Sequence, residues 1–195
     1  MAYIKIIPEA EATGTLKEMY EIEKRQKDYL PNFAKIFCYR PKVMFAWREL
    51  IKSIIENMDK RRYELVTIAA ARALKSSYCM LAHGKVLLNN FYNSDELMEI
   101  VGNTHSPLLE TKEIAMMEFA EKIVCDASSI KQEDIDKLKD FGFSDEEIFE
   151  ITTVATARCF FSKTLDALGA EPDKVYLDLN KNLRHKLIIG KAIAS

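Results

Sequence analysis

Four residues with reactive or proton-transferring side chains stand close together: Glu64, Ser76, Cys79 and His83, the last three within Ser76-Ser77-Tyr78-Cys79-Met80-Leu81-Ala82-His83-Gly84. If Ser76 caps a helix, Cys79 falls in its first turn, where free backbone N–H groups and the positive end of the macrodipole favour an anion. His83 lies four residues on, one turn above on the same face, within reach of the sulfur or of a water beside it. Glu64, on a preceding helix, can hold the second imidazole nitrogen. Thiol, imidazole and carboxylate together form a proton-transfer chain suited to activating a nucleophile.

The same spacing has other readings. Cysteine is among the most buried residue types, and a histidine beside an apolar face is often a satisfied core group. Cysteine, histidine and a carboxylate can also bind zinc, but a structural site normally uses four ligands and no second Cys or His pair stands nearby. No metal and no other cofactor is expected. His105, in a polar stretch beside Pro107, is expected at the surface, and Met116 and Met117 fill the core or an interface.

Positioning these groups requires a folded domain, and the composition supplies one. The chain has 195 residues, 48% of them hydrophobic and 30% charged, with a formal net charge of -2 and only six glycines and five prolines. This suits one compact helical domain, and the near-neutral charge gives no support to binding of nucleic acid or an anionic membrane. No basic segment followed by an apolar run opens the sequence, and no stretch approaches the roughly 18 apolar residues of a membrane span. A cytoplasmic location is the default. There Cys38, Cys79, Cys125 and Cys159 are thiols and not a disulfide framework.

Helical spacing predicts an amphipathic helix over Thr13 to Lys27, then a break at Pro31-Asn32 and a short apolar stretch from Phe33 to Tyr39. Pro41 opens a helix to about Met58, and Arg61 to Leu74, dense in alanine, is a buried helix. Further helices follow over Ser77 to Asn90, Ser94 to Val101, Leu109 to Cys125 and Ser129 to Asp140. Ser144 with Glu147 forms a capping box for a helix to Leu168, stopped by Gly169. Strand alternation competes only at Tyr3 to Ile7, so the fold class is all-α. One domain over 1–195 is expected, with N-terminal helices 1–59 packing on the core and 170–195 as a C-terminal extension. His185, inside a basic stretch of that extension, is expected to solvate the surface or meet an acidic patch such as Asp145 to Glu147 on a neighbouring subunit.

An internal similarity points to a helical duplication or to like composition in two packing helices. Glu64-Leu-Val-Thr-Ile-Ala-Ala-Ala-Arg-Ala aligns without gaps on Glu150-Ile-Thr-Thr-Val-Ala-Thr-Ala-Arg-Cys. In the second copy Leu165 stands where Cys79 stands in the first, so packing alone does not require the thiol.

The run from Glu64 through Ser76, Cys79 and His83-Gly84 resembles the signature of the AhpD-like, carboxymuconolactone decarboxylase family, a glutamate followed by Cys-x-x-Cys-x-x-x-His. Collinear matches extend the resemblance: Ala12-Thr13-Gly14, Pro31-Asn32, Pro41, Phe119-Ala120-Glu121-Lys122, Phe143 to Ile148 and Leu165 to Gly169. These flanks look like the branch described as uncharacterised peroxidase-related proteins. The resemblance implies an all-helical subunit forming trimers or hexamers. It implies that Cys79 is the peroxidatic nucleophile, with His83 and Glu64 relaying the proton. Ser76 stands where the family's resolving cysteine would be, so a disulfide cannot form there. Reduction of a hydroperoxide would need an external thiol reductant or another of the chain's cysteines, Cys159 first among them, while Ser76 would orient or stabilise the thiolate. The family also implies an alternative, proton transfer on a small carboxylated lactone or keto acid, and a third reading is an oligomeric binding protein whose catalysis has decayed.

Overall fold

The computed structural model describes residues 2–194, and among these every regular element is helical. The α-helices are α1 (Gly14–Lys27), α2 (Asn32–Ile36), α3 (Pro41–Ile55), α4 (Lys60–Ala73), α5 (Ser77–Asn90), α6 (Ser94–Gly102), α7 (Thr111–Asp126), α8 (Gln132–Asp140), α9 (Asp145–Ala167) and α10 (Lys181–Leu187). Short 3-10 turns lie at Glu9–Glu11, Ala127–Ser129 and Lys174–Asp178. Tyr3 to Ile7 forms no strand. Among the described residues no helix is long and apolar enough to cross a membrane.

Helix α4 is the axis of the fold. Its residues from Leu65 to Ala71 are all without solvent contact, and it packs on α5, α7 and α9 at once. A helix apolar on every side must be enclosed, and the alanines at 69, 70 and 71 let neighbouring helices approach closely. Met116 and Met117 on α7 lie in this core.

Local signals fix the ends of the surrounding helices. Ser144 accepts from Glu147 N while Glu147 reaches back to Ser144 N, the reciprocal cap expected for α9. At the other end Gly169 takes φ +79°, with Ala170 N bonded to Leu165 O and Gly169 N to Asp166 O, a Schellman closure. The ring of Tyr3 fills the space where a Cβ on Gly169 would fall, at 2.7 Å. The α4–α5 junction closes in the same way, with Ser76 N on Ala71 O and Lys75 in the left-handed region at φ +55°.

Residues 170–194 complete the packing around α5. Leu183 and Leu187 of α10 are fully buried, and Leu187 covers Gly84, where a Cβ would come within 3.0 Å of it. Further on, Ile189 N and Gly190 N both donate to Ser77 Oγ, at 3.1 and 2.7 Å, in the first turn of α5. The segment lies so close that a Cβ on Gly190 would fall 2.2 Å from Lys75 O.

Several tyrosines are buried or half-buried, which holds their phenols neutral. Tyr20 on α1 donates to Ile7 O at 2.9 Å, and burial first, then nearby Cys38 and Glu9, push its phenol up to about 12. Burial likewise raises Tyr29, Tyr63, Tyr78, Tyr92 and Tyr176. The unfolded chain releases these protons near pH 10 while the folded chain retains them, so stability is lost as pH rises above that value. Denaturant midpoints are expected to hold steady to about pH 9.5 and fall steeply by about pH 11.5, with Tyr20 alone contributing about 2–3 kcal/mol by pH 12. A midpoint independent of pH across that window would contradict the burial of these phenols.

Candidate active site

The Lys75 turn starts α5 with Ser76 at the N-cap position. Its first ladder bond runs from Met80 N to Ser76 O, 3.0 Å, so the amides of residues 77–79 precede the ladder and Cys79 sits in the expected first turn. Ser76 behaves differently from the sequence expectation. Its hydroxyl makes no capping bond and none of normal geometry elsewhere, although it lies near enough to the Asp166 carboxyl to oppose the rise that burial imposes there.

The sulfur's polar partner comes from α9. Cys79 is 2% exposed, and its Sγ lies 3.1 Å from Ser162 Oγ. Glu64, 4% exposed on α4, places Oε2 2.7 Å from His83 Nδ1, so the expected carboxylate–imidazole pair is formed. The other imidazole nitrogen is also occupied: Arg158 Nη1 lies 3.1 Å from His83 Nε2. A guanidinium can only donate, so Nε2 accepts and the ring proton sits on Nδ1 facing Glu64. Neither His83 nitrogen is bonded to Cys79. The two side chains meet instead as walls of one cavity of about 690 Å³, whose lining includes Trp47, Tyr63, Phe161 and Arg158.

That cavity is strongly aromatic. Trp47 stacks on Phe161 with ring centroids 4.8 Å apart, and the Arg158 guanidinium lies 5.0 Å from the Trp47 centroid. Tyr78, next to Cys79 and also lining the cavity, donates to the buried Asp173 carboxylate and accepts from Phe33 N at 3.1 Å. Asp173 also accepts from Asn32 N at 2.7 Å and Tyr29 at 3.3 Å. One carboxylate thus joins α1–α2, the start of α5 and the segment after α9.

All four cysteines are free thiols. Cys159 is not among the residues lining the cavity, and burial raises its thiol, with Cys125 as a further influence. Cys38 is buried and Cys125 exposed. Among the described residues no three His, Cys, Asp or Glu side chains form a group suited to a metal ion. His105 is exposed and pairs with Glu118 at 3.1 Å. Glu150, aligned in sequence with Glu64, instead pairs with Arg62 at 3.5 Å, so matching positions do different work.

The helical architecture is similar to that of solved structures with an alkylhydroperoxidase AhpD core. The model of the carboxymuconolactone decarboxylase family matches residues 41–122 of the chain, the stretch that carries Glu64, Cys79 and His83. Solved structures share the fold over nearly the whole chain. An uncharacterised peroxidase-related protein with an alkylhydroperoxidase AhpD core, from Ralstonia eutropha JMP134, is 17% identical with a TM-score of 0.79, covering 90% of this chain and 94% of that one. A peroxidase-related protein from Silicibacter sp. TM1040 is 19% identical with a TM-score of 0.79, covering 91% and 94%. The debrominase Bmp8, solved as a cysteine-to-alanine variant with 2,3,4-tribromopyrrole, is 16% identical with a TM-score of 0.72, covering 96% and 98%. No curated protein is similar enough in sequence to count as a match.

Proposed function

We propose that the protein reduces organic hydroperoxides through Cys79 as its single nucleophile, regenerated by an external thiol. The observation that carries this reading is the placement of the Cys79 sulfur in an aromatic cavity wall, at the amino end of α5, beside the His83–Glu64 pair. The Cys79 thiol gives up its proton to His83 Nε2 once Arg158 moves off that nitrogen, Glu64 holds Nδ1, and Ser162 donates to the thiolate, the role sequence reasoning gave to Ser76. The thiolate attacks one peroxide oxygen, the O–O bond breaks, Cys79 becomes a sulfenic acid and the departing alkoxide takes up the proton to leave as an alcohol. One external thiol then condenses with the sulfenic acid, releasing water, and a second frees Cys79 and leaves as the disulfide. The bound tribromopyrrole of the debrominase supports a small apolar ligand in a fold of this kind.

Mass spectrometry after one equivalent of an organic hydroperoxide, with a sulfenic-acid trap present, tests the reading. Exposure alone would direct oxidation to Cys125. Labelling of Cys79 ahead of the other three is the expected result, and labelling led by Cys125 or spread evenly would overturn it.

A further inference from the structure

Arg158 is the most unusual charge in the molecule. It is 3% exposed, and among the described residues no carboxylate forms an ion pair with it. Its Nη1 donates to a neutral imidazole, its Nη2 to the Tyr63 hydroxyl at 3.2 Å, and its buried Nε has no partner. The rest of its surroundings are the faces of Trp47, Phe161 and Tyr63, with centroids 5.0, 5.8 and 5.9 Å away. Ring faces compensate a buried cation only in part, and a guanidinium is built to take a carboxylate with two parallel bonds. By contrast, the buried Glu23 pairs with Arg48 and the buried Glu113 with Arg61.

We propose that Arg158 recognises the carboxylate of an otherwise apolar substrate, and that this pairing draws Arg158 off His83 and frees the Nε2 lone pair. The charge balance gives the proposal its form. Glu64 and Arg158 flank the neutral His83 directly, while Lys27, Asp28, Lys52, Lys85 and the Glu23-paired Arg48 line the cavity further out, so an entering carboxylate bound to Arg158 adds one negative charge beside the ring. An imidazole held at Nδ1 by Glu64 and released at Nε2 can accept a proton there, next to the added carboxylate. While Arg158 caps Nε2, the same protonation would set two cations against each other. Arg158 is thus a specificity-determining residue toward the substrate and a positioning residue toward His83. This rests on the hydroperoxide reading for the reaction and narrows its substrate to a hydroperoxide that also carries a carboxylate, the aromatic wall accepting the apolar body.

Equilibrium binding to the reduced wild-type protein tests the proposal without peroxide, so its outcome is independent of whether Cys79 is oxidised. Benzoate and octanoate are compared by titration calorimetry with benzamide and octanamide, in two buffers of different ionisation enthalpy above neutral pH. At least one acid is expected to bind about tenfold or more tightly than its amide, with uptake of up to about one proton that the amide does not show. Arg158→Met is expected to abolish the preference and the proton uptake, and Arg158→Lys to retain part of the preference. If Arg158→Met does not fold, the wild-type comparison and Arg158→Lys decide. Equal affinity for acid and amide, no binding of either acid at millimolar concentration, or a preference that survives in Arg158→Met would each overturn the proposal. So would tight acid binding without proton uptake, because His83 would then remain capped.

Discussion

Cys79→Ser is expected to lower hydroperoxide turnover by at least about 10³-fold, the scale on which loss of a nucleophile is felt when the rest of a site is intact. The fold should survive the change. A serine hydroxyl can keep a hydrogen bond to Ser162, and the helix start is held by backbone bonds and by Ser77, none of which involves the sulfur. Thiol consumption driven by hydroperoxide is the activity readout, and an unchanged melting temperature shows that chemistry and not folding was lost. A companion variant lacking Cys38, Cys125 and Cys159 should keep most of its turnover when external thiol is supplied, because the free thiol on the cavity wall is Cys79. Turnover of a carboxylated lactone or keto acid that persists in Cys79→Ser would move the assignment to decarboxylation by His83 and Glu64. Hydroperoxide turnover that disappears with the three other cysteines would show that one of them resolves the sulfenic acid.

The second large effect concerns stability. Asp173→Ala removes the acceptor shared by Tyr78, Tyr29 and Asn32 N, leaving up to three donors without it. Buried donors stripped of a charged partner cost about 3–5 kcal/mol together, which in a chain of this size lowers the melting temperature on the order of 10 °C. Asp173→Asn should cost less, since an amide oxygen still accepts and the two phenols can turn. The carboxyl also sets a pH signature. Burial raises it above its ordinary value, against the opposing hydrogen bonds from Tyr78, Asn32 and Tyr29. The folded state therefore binds this proton more tightly than the unfolded chain. As pH falls from the raised value toward the ordinary one near 4, this group adds stability, and Asp173→Asn should lack that increment. An Asp173→Ala protein that melts with the wild type would remove the carboxylate from the framework of the site.

The elements most legible in sequence were those decided within a few residues. Ser144 with Glu147, Pro41 at a helix start and Gly169 at a helix end each act on their own turn, and the structure places those ends within a residue or two of expectation. The alanine-dense run of α4 announced its burial by composition. α10 was missed, though its signals are present: Asn180 accepts from the amides of Asn182 and Leu183, and Leu183 and Leu187 sit one turn apart. Seven residues of basic sequence hid them. The Glu64–His83 pair was legible because family spacing and helix geometry agree on it. Arg158 and Ser162 were not. One turn apart on α9, they share a face, but which face meets Cys79 depends on how α9 lies against α4, a matter of packing between distant segments. The repeat carried a trace of both, since the offset that lays Glu64 on Glu150 also lays Arg72 on Arg158 and Ser76 on Ser162.

The hydroxyl of Ser77 has a consequence for the order of assembly. Its two amide donors, from Ile189 and Gly190, lie 112 and 113 positions away along the chain. Contacts of such separation form late, after local helices and after the loop between them has been closed against its entropy. A chain growing from its amino end therefore carries α4, α5 and the Glu64–His83 pair long before it can frame the turn that holds Cys79. During synthesis Cys79 stands on an unbraced helix end, and the turn beneath it is completed only when residues 189 and 190 arrive.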